Sequence, residues 1–137
     1  LKSSIIQRCG VANETLFAIE STGAGDILVY RGAPPKTIDE ALDVAIQKWQ
    51  FIVDHPGTYY EGSSDTCGLC MLYPNSCWQC PISFFTGKPD CSNTPYYEYR
   101  KTAAAVPFDA ERSTALAKAF VDLLTGIRDQ VKECCVG

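Results

Sequence analysis

Apolar residues recur at intervals of three and four in two parts of the chain, and this spacing predicts two amphipathic helices. The first begins at Thr37-Ile38-Asp39-Glu40, a capping box in which the Thr37 hydroxyl can accept a hydrogen bond from the Glu40 amide. Pro56-Gly57 should end it, so we expect a helix over residues 38–54. Its apolar positions are Ile38, Ala41, Leu42, Ala45, Ile46, Trp49 and Ile52 or Val53.

The second apolar stripe predicts a long final helix over residues 109–133, with Asp109 as its N-cap. Because each stripe must be removed from water, the two helices should pack together and form the main core. Gly126 interrupts this helix at about 1 kcal/mol relative to Ala, which close packing against another segment would explain. The stripe consists of Leu116, Phe120, Leu123 or Leu124, Ile127, Val131 and Cys134.

Two short apolar runs near the beginning, TLFAIE (15–20) and ILVYRG (27–32), flank the turn-rich stretch STGAGD and predict a small β-hairpin. Thr94 followed by Pro95 predicts a short helix from Tyr96, which Pro107 should stop. We therefore predict a mainly helical α+β fold in a single domain, 1–137. Its parts are a hairpin region (1–35), a helix with a cysteine-rich segment (37–105) and a final helix (107–135).

Length and charge exclude some classes of protein. The 137 residues suit one globular domain, and 12 Lys and Arg against 16 Asp and Glu argue against direct binding of nucleic acid. No apolar run reaches the ~18–20 residues needed to span a bilayer, so we expect a soluble protein with no membrane partner. Residues 39–65 have a net charge of −5, with six acidic side chains against Lys48. This run is either ordinary solvated surface or a docking patch for a basic partner.

The eight cysteines are unevenly distributed, since five of them lie within the 25 residues from Cys67 to Cys91. Four form the pairs Cys67-x-x-Cys70 and Cys77-x-x-Cys80, a spacing that lets two thiolates from one turn bind the same ion. Two such turns supply the four ligands of a closed structural zinc site. We therefore predict one zinc ion bound by these four cysteines, in a knot that joins the two helices.

The same residues allow other interpretations. The nearby Cys91 could replace one of the ligands, and His55, the only histidine, is a reserve ligand otherwise expected at a helix end. An even cysteine count is also typical of a secreted disulfide framework, and Cys80-Pro81 would suit an iron–sulfur cluster. CGLC and CWQC also resemble redox dithiols, although no βαβ pattern surrounds them. Cys9, Cys134 and Cys135 are interpreted as buried thiols.

Several short motifs together resemble small cysteine-rich proteins encoded by bacteriophages and prophages. They are KWQFIVDHPG, CGLC, CWQCP, TGKPDC and NTPYYEY, and the resemblance covers roughly residues 37–105, about half of the chain. It implies an intracellular, zinc-stabilised accessory protein in which Cys67, Cys70, Cys77, Cys80 and also Cys91 match the cysteines of the family. The first 35 residues lie outside the resemblance.

Two functional classes follow from these observations. The first is a non-enzymatic binding protein in the cytoplasm of a host cell, which inhibits or modulates a host protein. The second is an enzyme, but one histidine and an all-cysteine ligand set favour a closed structural zinc over a catalytic one. Disulfides in place of zinc would indicate a secreted protein. Six aromatic residues either form a binding face or pack around the cysteines: Tyr59, Tyr60, Trp78, Tyr96, Tyr97 and Tyr99.

Overall fold

The computed structural model describes residues 16–62, 66–74, 80–87, 94–105 and 107–136. The fold is α+β and mainly helical, as predicted. The described strands are β1 (Phe17–Thr22) and β2 (Gly25–Tyr30). The helices that follow are α1 (Ile38–Asp54), α2 (Gly68–Leu72), α3 (Pro81–Thr86), α4 (Pro95–Ala103) and α5 (Ala110–Val136).

The strands form the predicted hairpin, but its loop is shorter than expected. Antiparallel pairing runs from Phe17–Tyr30 to Thr22–Gly25, which leaves only residues 23 and 24 between the strands. Most of STGAGD therefore belongs to the ladder, and the Ser21 hydroxyl donates to the Asp26 carboxylate at 2.9 Å. These residues are exposed at the tip of the hairpin. No apolar alternation marks them as strand, because neither face is buried there.

A short extended segment after α1 lies beside the hairpin. The Leu28 amide donates to the Tyr60 carbonyl at 2.8 Å, and the Tyr60 amide donates to the Asp26 carbonyl at 3.0 Å. These bonds form a parallel bridge between Ile27 and Tyr60. They join the segment after α1 to the edge of β2 that does not pair with β1.

The main core lies between α1 and α5, which pack along each other as predicted. Trp49 is at its centre, 1% exposed. The Trp49 ring makes edge-on contacts with Tyr99 at 5.0 Å, Phe120 at 5.1 Å and Tyr96 at 5.6 Å between ring centroids. Because these partners come from α4 and α5, one indole ring joins three helices, in a geometry that aromatic pairs favour.

The buried face of α1 is wider than the single stripe predicted from the sequence, since Val44, Lys48 and Phe51 are buried as well. Two further elements cover it. The ring of Phe17 in β1 lies 6.2 Å from that of Phe51. At Gly68 in α2, an added Cβ would lie 2.5 Å from the Ala41 carbonyl oxygen and 2.8 Å from Val44 Cβ. The helix therefore has neighbours on three sides, which periodicity alone does not reveal.

The predicted starts of α1, α4 and α5 are confirmed by their N-cap hydrogen bonds. Thr37 Oγ1 accepts from the Glu40 amide at 3.2 Å, while the Glu40 carboxylate accepts from the Lys36 amide at 2.9 Å. The Asp109 carboxylate accepts from the Arg112 amide at 3.0 Å, as expected of an N-cap. At the start of α4, Thr94 Oγ1 accepts from the Tyr96 amide at 3.3 Å.

Within the described residues, the expectation of close packing at Gly126 is wrong. A Cβ added there would meet no atom within 4 Å in the part of the chain that the structure describes. Gly126 is exposed on α5, so its lack of a side chain serves no contact in this part of the structure.

We predict that Gly126→Ala raises the free energy of unfolding by about 1 kcal/mol, because Ala loses less backbone entropy in a helix. Gly68→Ala is the matched control, and it should lower stability because its Cβ would overlap the backbone of α1. Urea unfolding followed by circular dichroism measures both. Equal effects of the same sign would contradict the packing described at these two glycines.

Candidate functional site

The first C-x-x-C pair lies on a single turn, as its spacing predicts. Cys67 is the N-cap of α2, Cys70 lies within the helix, and the Met71 amide donates to the Cys67 carbonyl at 3.0 Å. The Cys70 thiol is hydrogen bonded to the Cys67 sulfur. Both residues are half-buried and neither forms a disulfide. The turn therefore presents two adjacent sulfur atoms.

The two residues between these cysteines hold the turn against α1. Leu69 is fully buried, at 0% exposure. Gly68 allows the backbone of α2 to approach the Ala41 carbonyl, where a Cβ would lie at 2.5 Å. The sequence CGLC thus combines a pair of thiols with a small residue and an apolar residue that dock the pair on the core.

The surroundings of Cys67 favour its thiolate. Its pKa is lowered from 9.0 to about 6, first by the hydrogen bond from the Cys70 thiol. Burial opposes this shift in the pKa, while the Lys48 ammonium group and the backbone amides of Cys70 and Leu69 add to it. These surroundings therefore favour the thiolate of Cys67, the form that binds metals and attacks disulfides.

The cation beside Cys67 belongs to a buried ion pair that the sequence analysis missed. Lys48 Nζ lies 2.6 Å from Glu61 Oε1, and the two side chains are 1% and 5% exposed. The Tyr96 hydroxyl donates to Glu61 Oε2 at 3.3 Å. The Lys48 ammonium group also lies 5.0 Å from the centre of the Trp49 ring. The pair joins α1 to the loop that leads to Cys67.

A signal for this pair was present in the sequence. Lys48 continues the three-and-four spacing of Ala41, Ala45 and Ile52, so it occupies a position on the buried face of the predicted helix. A lysine at such a position needs a buried acidic partner. Spacing does not identify Glu61 as that partner, because the loop after α1 brings it back to the helix.

The other predicted ligands are placed differently. Cys80 is buried as the N-cap of α3. Within the described ranges, no three His, Cys, Asp or Glu side chains form a cluster that could hold a metal ion. Cys77 and Cys91 lie outside those ranges, as do Cys9 and the side chains of Cys134 and Cys135.

His55 has a structural position at the end of α1, as its expected place at a helix end suggested. Its ring stacks on Phe51 at 3.9 Å between centroids, and its Nδ1 lies 2.9 Å from the Phe51 carbonyl oxygen. The Tyr59 hydroxyl donates to the His55 carbonyl at 2.6 Å. These contacts fasten the C-terminal end of α1 to the following loop.

The predicted aromatic group is divided between core and surface. Tyr59 and Tyr99 are buried, whereas Tyr60 and Tyr97 are 51% and 48% exposed. Burial raises the pKa of Tyr99 to about 12, and the Glu61 carboxylate adds to that rise. Trp78 lies outside the described residues. The buried tyrosines line a cleft of about 260 Å³ between residues 58–61 and α4, with Tyr60 and Arg100 beside them.

The acidic run does not form one continuous patch in the described structure. Glu61 is buried against Lys48, and Asp43 pairs with Arg128 of α5 at 3.1 Å. Glu40 and Asp54 lie at opposite ends of α1, about 20 Å apart at the rise of an α-helix. Asp65 lies outside the described residues. Most of the run therefore has local partners or is spread along a helix.

No protein-family model matches the chain, and searches of curated proteins and of solved structures gave no match. Among the helices of the described residues, none is both long enough and apolar enough to cross a bilayer. The candidate site therefore has to be interpreted from its own geometry.

We predict that Lys48→Met lowers the free energy of unfolding by about 3–5 kcal/mol, because it leaves the buried Glu61 carboxylate without its cation. The double variant Lys48→Met, Glu61→Gln should recover much of this loss, since it removes both charges together. Urea unfolding of the four members of the cycle measures the coupling. Additive effects of the two substitutions would contradict a direct buried pair.

We also predict that Cys67 in metal-free protein reacts with iodoacetamide with a midpoint near pH 6. Its lowered pKa stabilises the fold fully above the ordinary thiol pKa of about 8.5–9, and this contribution is lost as the pH falls through 6. Peptide mass spectrometry across pH 5–9 measures the reaction at this residue. Cys70→Ala should move the midpoint upward because it removes the main hydrogen bond, and an unchanged midpoint would refute this cause.

Proposed function

We propose that this protein is a non-enzymatic, zinc-stabilised accessory protein that binds another protein. In this proposal Cys67, Cys70, Cys77 and Cys80 hold one structural zinc ion. The observation that carries the proposal is the position of Cys67 and Cys70 on one turn, half-buried and without a disulfide, in surroundings that favour the Cys67 thiolate. Zinc binds cysteine as the thiolate, and two sulfur atoms from one turn are the usual half of a four-cysteine site.

The local structure supports a role for such an ion in folding. The two helices within the cysteine-rich segment, α2 and α3, have five and six residues, which is too short for independent stability. A crosslink between Cys67, the N-cap of α2, and Cys80, the N-cap of α3, would hold both helices. Structural zinc sites contribute on the order of 10 kcal/mol, most of which appears as folding free energy. Lys48 would offset part of the negative charge of four thiolates.

The proposed protein-binding role draws on exposed aromatic residues. Tyr60 and Tyr97 remain about half exposed, although the chain buries most of its other described aromatic side chains. Tyrosine is enriched at the centres of protein interfaces. The resemblance to cysteine-rich phage proteins supports the cytoplasm of a host cell as the setting, with a host protein as the partner that is inhibited or modulated.

A second candidate function, thiol–disulfide exchange, is favoured by the same low pKa. The Cys67 thiolate would attack a substrate disulfide and release one substrate thiolate, giving a mixed disulfide. Cys70, after losing its proton, would then attack the Cys67 sulfur. This step would release the second substrate thiol and leave a Cys67–Cys70 disulfide, so the substrate gains two electrons and the protein loses two.

The test of the zinc proposal is metal analysis of native protein together with thiol counting under denaturing, non-reducing conditions. We expect one zinc per chain and reactive thiols. Cys67→Ser or Cys77→Ser should abolish stoichiometric zinc and unfold the segment, because one missing ligand opens the site. Cys9→Ser is the control and should retain zinc.

Other results would assign the cysteines differently. Cys91→Ser should be mild if the two C-x-x-C pairs suffice, and severe if Cys91 takes the place of one of the four ligands. Four disulfides without metal would refute the proposal and indicate a secreted protein. Metal-free protein that reduces a disulfide substrate and forms the Cys67–Cys70 disulfide would instead support exchange chemistry.

The binding role is tested separately, by affinity capture from a bacterial lysate with tagged protein. We expect the wild type to retain a stoichiometric partner that the double variant Tyr60→Ser, Tyr97→Ser loses. Ile19→Ser is the matched control, because Ile19 is also exposed but lies on the hairpin. Capture that is the same for all three proteins would contradict a role for the two tyrosines.

A further inference from the structure

The cleft between residues 58–61 and α4 has the composition of a ligand site. Its walls include Tyr59, Tyr60, Tyr99 and Ala103, and its polar groups include Glu61 and Arg100. The volume of about 260 Å³ is slightly below the ~300–1,000 Å³ of typical small-molecule sites, so it suits a ligand of fragment size. The cleft opens to solvent, and neither the zinc proposal nor the exchange alternative uses it.

The charges in the cleft determine which kind of ligand it favours. The negative charge of Glu61 is balanced by Lys48 at 2.6 Å, and its second oxygen accepts from Tyr96 at 3.3 Å. Arg100 is exposed and makes no ion pair with any carboxylate of the described residues. Its guanidinium group lies 5.9 Å from the centre of the Tyr96 ring. Among the residues that the structure describes, the Arg100 guanidinium group therefore adds a positive charge to the cleft that no carboxylate pairs with.

Tyr99 adds a second hydrogen-bond donor. The residue is only 2% exposed, and it lines the cleft together with Glu61 and Arg100. Burial and the nearby Glu61 carboxylate keep the Tyr99 hydroxyl protonated. It can therefore donate to an acceptor bound in the cleft.

We propose that this cleft binds a carboxylate carried on a small aromatic or apolar body. The Arg100 guanidinium pairs with the carboxylate, the Tyr99 hydroxyl donates to it, and the body lies against Tyr60. Three tyrosines with a glutamate could also suggest a cage for an ammonium ion. The balance of charge opposes that ligand, because Lys48 neutralises Glu61 while Arg100 repels a cation.

The test is a titration of ¹⁵N-labelled protein followed by NMR. N-acetyl-phenylalanine should bind saturably and shift the amide signals of residues 58–61 and 99–104, whereas N-acetyl-phenylalanine amide, which lacks the charge, should bind at least about tenfold more weakly. Equal binding of the two probes would overturn the proposal. Preferential binding of phenethyl-trimethylammonium would overturn it in favour of the cation cage.

Two further probes distinguish the sources of such a carboxylate. Binding of 3-phenylpropionate but not of the tripeptide Ala-Ala-Phe with a free carboxyl end would support the proposal with a free small acid as the ligand. Equally tight binding of the tripeptide would support it with the C-terminal residue of a polypeptide. Saturable binding of neither one, together with none of N-acetyl-phenylalanine, would refute it.

Three variants test the named residues. Arg100→Gln should weaken the binding of N-acetyl-phenylalanine by about tenfold or more, and Tyr99→Phe by about threefold to tenfold. Arg112→Gln is the matched control, because it removes the same charge outside the cleft and should leave binding unchanged. Circular dichroism establishes that each variant is folded. Folded Arg100→Gln protein that binds as tightly as the wild type would overturn the assignment of the cleft.

Discussion

The buried ion pair between Lys48 and Glu61 is the interaction on which the functional part of this structure depends. Two charges that are almost fully removed from water require each other, because either one alone would carry a large desolvation penalty. The pair joins the middle of α1 to the loop that follows it. That loop contains Tyr60, which hydrogen bonds to β2, and leads into the turn that holds Cys67. The hairpin, the cleft and the Cys67–Cys70 pair are therefore all connected to this one ion pair.

The Lys48–Glu61 ion pair also influences the chemistry of its two neighbours, the cysteine turn and the cleft. On one side, the Lys48 ammonium group favours the thiolate of Cys67 and would lower the net charge of a four-cysteine metal site. On the other side, it pairs with Glu61, while Arg100 has no ion-pair partner among the described residues. A single lysine therefore contributes to the electrostatics of both the cysteine turn and the cleft. The neighbouring Trp49, which joins three helices, holds this lysine in place.

In the described residues, the cysteine-rich segment differs from the α1–α5 core in how many apolar side chains it buries. The α1–α5 core is built from long helices with continuous apolar faces, and it buries a complete aromatic cluster around Trp49. The short helices α2 and α3 contribute few buried side chains, chiefly Leu69 and Ile82 among the described residues. Segments with so little apolar area are commonly held by metal ions or disulfides. Five of the eight cysteines lie in this part of the chain.

The sequence by itself determined the elements whose signals are local. Capping residues and apolar spacing identified α1 to the residue, α4 and α5 to within a few residues, and the hairpin with a loop that was too long. The pairing of Cys67 with Cys70 was also predictable, because three residues of separation span one helical turn. Only the tertiary structure decided which groups from distant segments meet: Lys48 with Glu61, Gly68 with Ala41, and Tyr60 with Arg100 around the cleft. Such contacts depend on how loops return the chain to a helix, and residue spacing contains no record of that path.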